Sequence, residues 1–82
     1  MTSKVVTIVK IFPEGGVEAE ALMAEVRKIP DCTDARVEEI AFGAKCVKAA
    51  FVCDDTAGKD FEEIVRTVKG VSEAQVEEVS LV

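Results

Sequence analysis

The sequence contains no histidine, and its ten basic residues face sixteen acidic ones. The missing imidazole removes the usual general base and the most common metal ligand. Cys32, Cys46 and Cys53 are odd in number and nowhere form a C-x-x-C pair, so the spacing of a zinc site is lacking as well. On one extended strand Cys46 and Cys53 point to opposite faces roughly 23 Å apart, too far to bridge. The expectation is three reduced, buried thiols in a cytoplasmic protein, with no metal and no cofactor. No apolar run approaches membrane-spanning length, and no apolar leader with a cleavage site opens the chain. A membrane partner is not expected.

Other chemistry is also missing. Gly15-Gly16 lacks the lysine-serine ending of a phosphate loop, which argues against nucleotide binding by this chain. No cysteine stands beside a recognisable activating base. The pairs Glu38-Glu39, Asp54-Asp55, Glu62-Glu63 and Glu77-Glu78 are not acid/base dyads. Adjacent strand residues point to opposite faces, and helix neighbours lie about 100° apart. The chain reads as a non-enzyme. Its formal charge of −6 repels phosphate backbones and anionic lipid, so direct nucleic-acid binding is not expected either. Two readings of the acidity remain: simple solubility, or complementarity to a basic protein partner.

What is present is a small α/β pattern. Eighty-two residues make a single domain, 1–82, which buries only about 60% of its unfolded surface on folding. Val5 to Phe12 is a strand stopped by Pro13, with Val5, Thr7, Val9 and Ile11 facing a core and Val6, Ile8 and Phe12 opposite. Leu22, Val26 and Ile29, with Ala19 and Met23 beside them, mark a helix from about Val17 to Ile29. Gly16 is its weak N-cap and Pro30 its stop. Asp31 to Ala35 reads as a polar connection, Arg36 to Ala41 as a short strand, and Ala44 to Cys53 as a longer one. In the longer strand Lys45, Val47, Ala49, Phe51 and Cys53 share the core parity. A loop over Asp54 to Gly58 follows. Asp60 and Glu63 form a capping pattern; Phe61, Ile64, Val65 and Val68 then mark a second helix, with Gly70 placed to end it. A last strand spans Gln75 to Val79, and the mismatched parity of Val76 and Val79 predicts a bulge near Glu77-Glu78. The order strand, helix, strand, strand, helix, strand, with right-handed crossovers, gives an α+β ferredoxin-like sandwich. Its four-stranded antiparallel sheet carries both helices on one face.

The segment between the two middle strands, Ile40-Ala41-Phe42-Gly43-Ala44-Lys45, is unusual. Hairpin tips are normally polar, and Gly43 supplies the permissive backbone for the reversal, yet its neighbour is a phenylalanine. Either Phe42 folds back over its own sheet edge, or it projects as an anchor for a partner's pocket. Other users of this fold fit poorly. An RNA-binding sheet needs aromatics on two central strands of the open face, and a heavy-metal carrier needs a cysteine pair in its first loop. A small-ligand or subunit-interaction module stays open.

The stretch EIAFGAKCVKAAFVCDD, from Glu39 to Asp55, resembles the exchange domain of the translation elongation factor 1-beta family. VVTIVKIFP looks like the family's first strand, GKDFEEIVRTVKGV like its second helix and exit, and QVEEV like its final strand. The resemblance implies the ferredoxin-like fold and a non-catalytic guanine-nucleotide exchange factor. Its partner would be the GTPase elongation factor 1-alpha. Ala41, Phe42, Gly43 and Lys45 would form the partner-binding surface, with the ring of Phe42 entering an apolar pocket. In relatives a lysine near the C-terminus disturbs the magnesium site. Here the matching stretch reads Val79-Ser80-Leu81-Val82, so that role is not carried over.

Overall fold

Alternation along the first strand sets the boundary between two layers. Thr7, Val9 and Ile11 are buried, whereas Val6, Ile8 and Phe12 are only half-buried. The computed structural model describes residues 4–54 and 60–81. Its elements are β1 (Lys4–Pro13), α1 (Ala19–Val26), β2 (Cys32–Ala41), β3 (Ala44–Asp54), α2 (Phe61–Arg66) and β4 (Val71–Leu81). All strand pairings are antiparallel, in the order β2-β3-β1-β4. Helix α1 packs over β2 and β3, and α2 over β1 and β4. The architecture is the expected ferredoxin-like sandwich.

The core lies between the helices and one face of the sheet. Leu22 and Val26 of α1 and Phe61 and Val65 of α2 meet Val9, Ile11, Val47, Ala49 and Phe51. Phe51 and Phe61 stack with ring centroids 4.8 Å apart and planes 15° apart. Asp60 caps α2 by accepting from the Glu63 N–H at 3.2 Å, one of the donors a helix start leaves unsatisfied. On the helix-free face, Val6, Ile8, Phe12 and Val52 are half-buried. Lys48 there lies 3.9 Å from both Glu38 and Glu77, and Lys10 sits over the Phe12 ring at 5.9 Å.

The central pair β1–β3 runs in unbroken register from Lys4↔Asp54 to Ile11↔Val47. Each outer strand carries two irregularities. Thr33 and Ile40 are the unmatched residues of β2, and Ser72 and Glu77 those of β4. The bulge expected near Glu77-Glu78 is present, and it keeps Val76 and Val79 opposite Val9 and Thr7.

Several boundaries differ from the periodic pattern. β2 begins at Cys32 rather than Arg36. The Thr33 bulge breaks the alternation, but Thr33 Oγ1 donates to the Ala50 carbonyl at 3.2 Å, Val52 N–H donates to the Asp31 carbonyl, and Ala35 is fully buried. β4 likewise starts early, at Val71, with Val71 and Ala74 in the core. Helix α1 is shorter than expected. Glu18, not Gly16, occupies its N-cap position; Gly16 lies in the preceding turn at φ +86°. The helix closes at Val26, and Ile29 reaches the core from the turn that follows. Gly70 does not end α2, which tightens through i→i−3 bonds after Arg66. At φ +98° Gly70 instead turns the chain into β4, and its carbonyl accepts from the Glu14 N–H at 2.8 Å. Asp54 closes β3, and the rest of the loop expected before Asp60 lies outside the described residues.

Candidate functional site

The β2–β3 connection is a two-residue loop, with Ala41 opposite Ala44. Strand twist favours turns with positive φ at both central residues of such a loop. Phe42 adopts φ +51° and Gly43 φ +79°. For glycine this conformation is free of steric penalty. For a phenylalanine it costs about 1–2 kcal/mol, because Cβ crowds the following carbonyl. The ring gains no compensating contact, being 107% exposed. Phe42 therefore does not fold back over its sheet edge. Ala41 and Ala44 are also exposed, so nothing beside the ring shields it.

Lys45 keeps the parity of Val47 and Ala49 but lies beyond the helix layer and is exposed, not part of the core. Its ammonium pairs with Glu20 Oε1 of α1 at 3.4 Å. The Glu20 carboxyl is held below its usual range, first by its own backbone N–H and then by Lys45. Gly43 and Lys45 form one wall of an open cleft of about 470 Å³ whose other wall is Pro13 and Val17 to Glu20. The four candidate residues Ala41, Phe42, Gly43 and Lys45 thus sit together at one end of the sheet.

No group of three or more metal-ligating side chains gathers among the described residues. The three cysteines are free, and burial pushes the thiols of Cys32 and Cys46 up, away from the nucleophilic thiolate. No helix among the described residues is long and apolar enough to cross a membrane. An exposed aromatic hairpin is what this arrangement offers.

The sequence model of the EF-1 guanine nucleotide exchange domain matches residues 6–82. The chain belongs to that family. It is 33% identical over 81 residues to the elongation factor 1-beta of Methanocorpusculum labreanum, covering 94% of each chain. It is 32% identical over 81 residues to that of Methanoregula boonei, covering 94% of this chain and 95% of the relative. The elongation factor 1-beta of Aeropyrum pernix is 29% identical over 86 residues, with 95% and 96% covered. In this member of the exchange-domain family two site features escaped the sequence reading. The left-handed backbone of Phe42 was available from the loop length, since a two-residue hairpin asks for positive φ at both positions. Glu20 left no local signal, because it meets Lys45 across 25 residues of chain.

Leu81 stands at the opposite end of the molecule. It pairs with Val5, which pairs with Cys53, nine strand residues and roughly 30 Å from the hairpin at strand rise. The body is 44 Å long.

Proposed function

We propose that the chain, as one exchange domain over residues 1–82, promotes GDP release from elongation factor 1-alpha in the cytoplasm. It touches neither nucleic acid nor membrane and performs no bond chemistry itself. The observation that carries this reading is the ring of Phe42, fully exposed on a strained turn. Backbone strain in a place that adds nothing to folding persists where function requires it, and desolvated aromatics are typical anchors of protein interfaces. Phe42 enters an apolar pocket of the GTPase, Ala41 and Gly43 let the partner's surface close around the ring, and Lys45 stands at the base of the contact, on the stem of the hairpin.

Exchange then follows from differential binding. A factor that favours the nucleotide-free GTPase lowers the affinity for GDP, and by linkage GDP lowers the affinity for the factor by the same ratio. The partner's nucleotide is held largely through magnesium and phosphate, so distortion of that site weakens the hold. The test is release of fluorescent GDP from elongation factor 1-alpha. Stoichiometric protein should accelerate it, and the nucleotide-free GTPase should bind the protein more tightly than the GDP form. An unchanged release rate would sink the reading.

A further inference from the structure

The hairpin has little to hold it in place. Its ladder is interrupted at the unmatched Ile40, residues 41–44 are all exposed, and an open cleft separates its inner side from Pro13, Val17 and the first turn of α1. Among the described residues, the ion pair between Lys45 and Glu20 is the one that ties the hairpin stem to a helix. The geometry points to Glu20 as a positioning residue: by holding Lys45 across the cleft it fixes the angle at which the hairpin presents Phe42. This rests on the exchange reading for its consequence in binding, but not for its effect on the free protein.

The physical case is one of leverage. An exposed pair contributes little to global stability, and here the core does not depend on it. The same small energy acts on a two-stranded projection with no other ion pair to a helix among the described residues, where it competes against local bending. A preorganised anchor loses less conformational freedom on docking and binds more tightly for that reason. Glu20 also occupies Lys45 in the free protein, so Lys45 serves the interface chiefly by setting direction, not by offering an unpaired charge.

The experiment uses the whole chain in three forms: unaltered, Glu20→Gln, and the charge-swapped double variant Glu20→Lys/Lys45→Glu. Backbone order parameters of Phe42 and Gly43 are measured in the free protein, and affinity for elongation factor 1-alpha is measured alongside. Glu20→Gln should drop the order parameters toward the roughly 0.6 of flexible backbone and weaken binding about two- to fivefold, the scale of an exposed pair. The swap should restore both. In a Phe42→Ala background the Glu20→Gln effect on affinity should vanish, because there is no anchor left to position. Unchanged order parameters in Glu20→Gln would overturn the proposal outright. A swap that restores order but not affinity would assign Lys45 a direct contact with the GTPase and refute the purely positional role. If the unaltered protein does not bind the GTPase, the exchange reading fails, and the order parameters still decide whether Glu20 holds the hairpin.

Discussion

Removing the ring of Phe42 should separate binding from folding almost completely. The side chain is 107% exposed, so Phe42→Ala deletes no buried surface and leaves no cavity. Alanine keeps a Cβ at φ +51°, so the turn remains strained and folding stability should change by no more than about 0.5 kcal/mol. Affinity for elongation factor 1-alpha should fall by about 2 kcal/mol, roughly thirtyfold, as for a central interface anchor. Phe42→Gly sharpens the test. It removes ring and Cβ together, relieving about 1 kcal/mol or more of left-handed strain, so this variant should be more stable than the parent while binding equally poorly. Urea denaturation gives the stabilities, and titration calorimetry with the GTPase gives the affinities. A folding loss near 3 kcal/mol in Phe42→Ala, the scale of a core phenylalanine, would return the ring to the core. Undiminished affinity in both variants would remove it from the interface.

Asp60→Ala should destabilise the domain by about 1 kcal/mol, since the carboxylate satisfies the Glu63 N–H; an unchanged urea midpoint would contradict the cap. Leu81→Lys replaces a side chain that is 70% exposed, at the end of the sheet far from the hairpin. It should raise the GDP release rate with docking affinity nearly unchanged, because a charge acting at the nucleotide affects the exchange step rather than the anchor; equal rates would show that a cation at this end is not used. Glu20 has a lowered pKa in the folded state, so its contribution is present above the ordinary carboxylate value of 4.5 and is lost as the pH falls through the lower folded value. A carboxyl-detected NMR titration should show Glu20 protonating at lower pH in the parent than in Lys45→Ala, and coincident curves would refute the pair.

The fold was legible where a buried face imposed a period on the chain. Thr7, Val9 and Ile11, or Phe61 and Val65, announce their partners because each faces the same core. The Glu77 bulge was legible from parity instead: Val76 and Val79, although exposed, stand opposite Val9 and Thr7, and only an extra residue puts both on that face. The missed boundaries at Cys32 and Val71 lie at two of the other bulges, Thr33 and Ser72, where the unmatched residue is small and polar and imitates a loop. Gly16 and Gly70 were recognised as punctuation, but positive φ serves a turn as well as a helix end, and the sequence does not distinguish them. At the candidate site, the aromatic beside a glycine was visible in the chain. The Glu20–Lys45 contact was not, because no periodicity encodes a meeting between a helix and a distant hairpin.

The placement of the irregularities bears on how such a sheet behaves in a crowded solution. Both outer strands are long, 10 and 11 residues, in a chain that is 49% hydrophobic, and Val79 and Leu81 are exposed on one of them. A flat edge of that kind would template a further strand from a second molecule and begin an open-ended stack. The regular ladder is confined to the inner pair β1–β3, while Thr33, Ile40, Ser72 and Glu77 each insert one residue into an edge. Each insertion locally breaks the spacing of outward N–H and C=O groups and increases the twist, so a straight incoming strand meets only short stretches of matching ladder. Glu73, Glu77 and Glu78 along β4 add repulsion between like copies. The bulges that complicate the reading of this chain are thus what keeps its sheet finite.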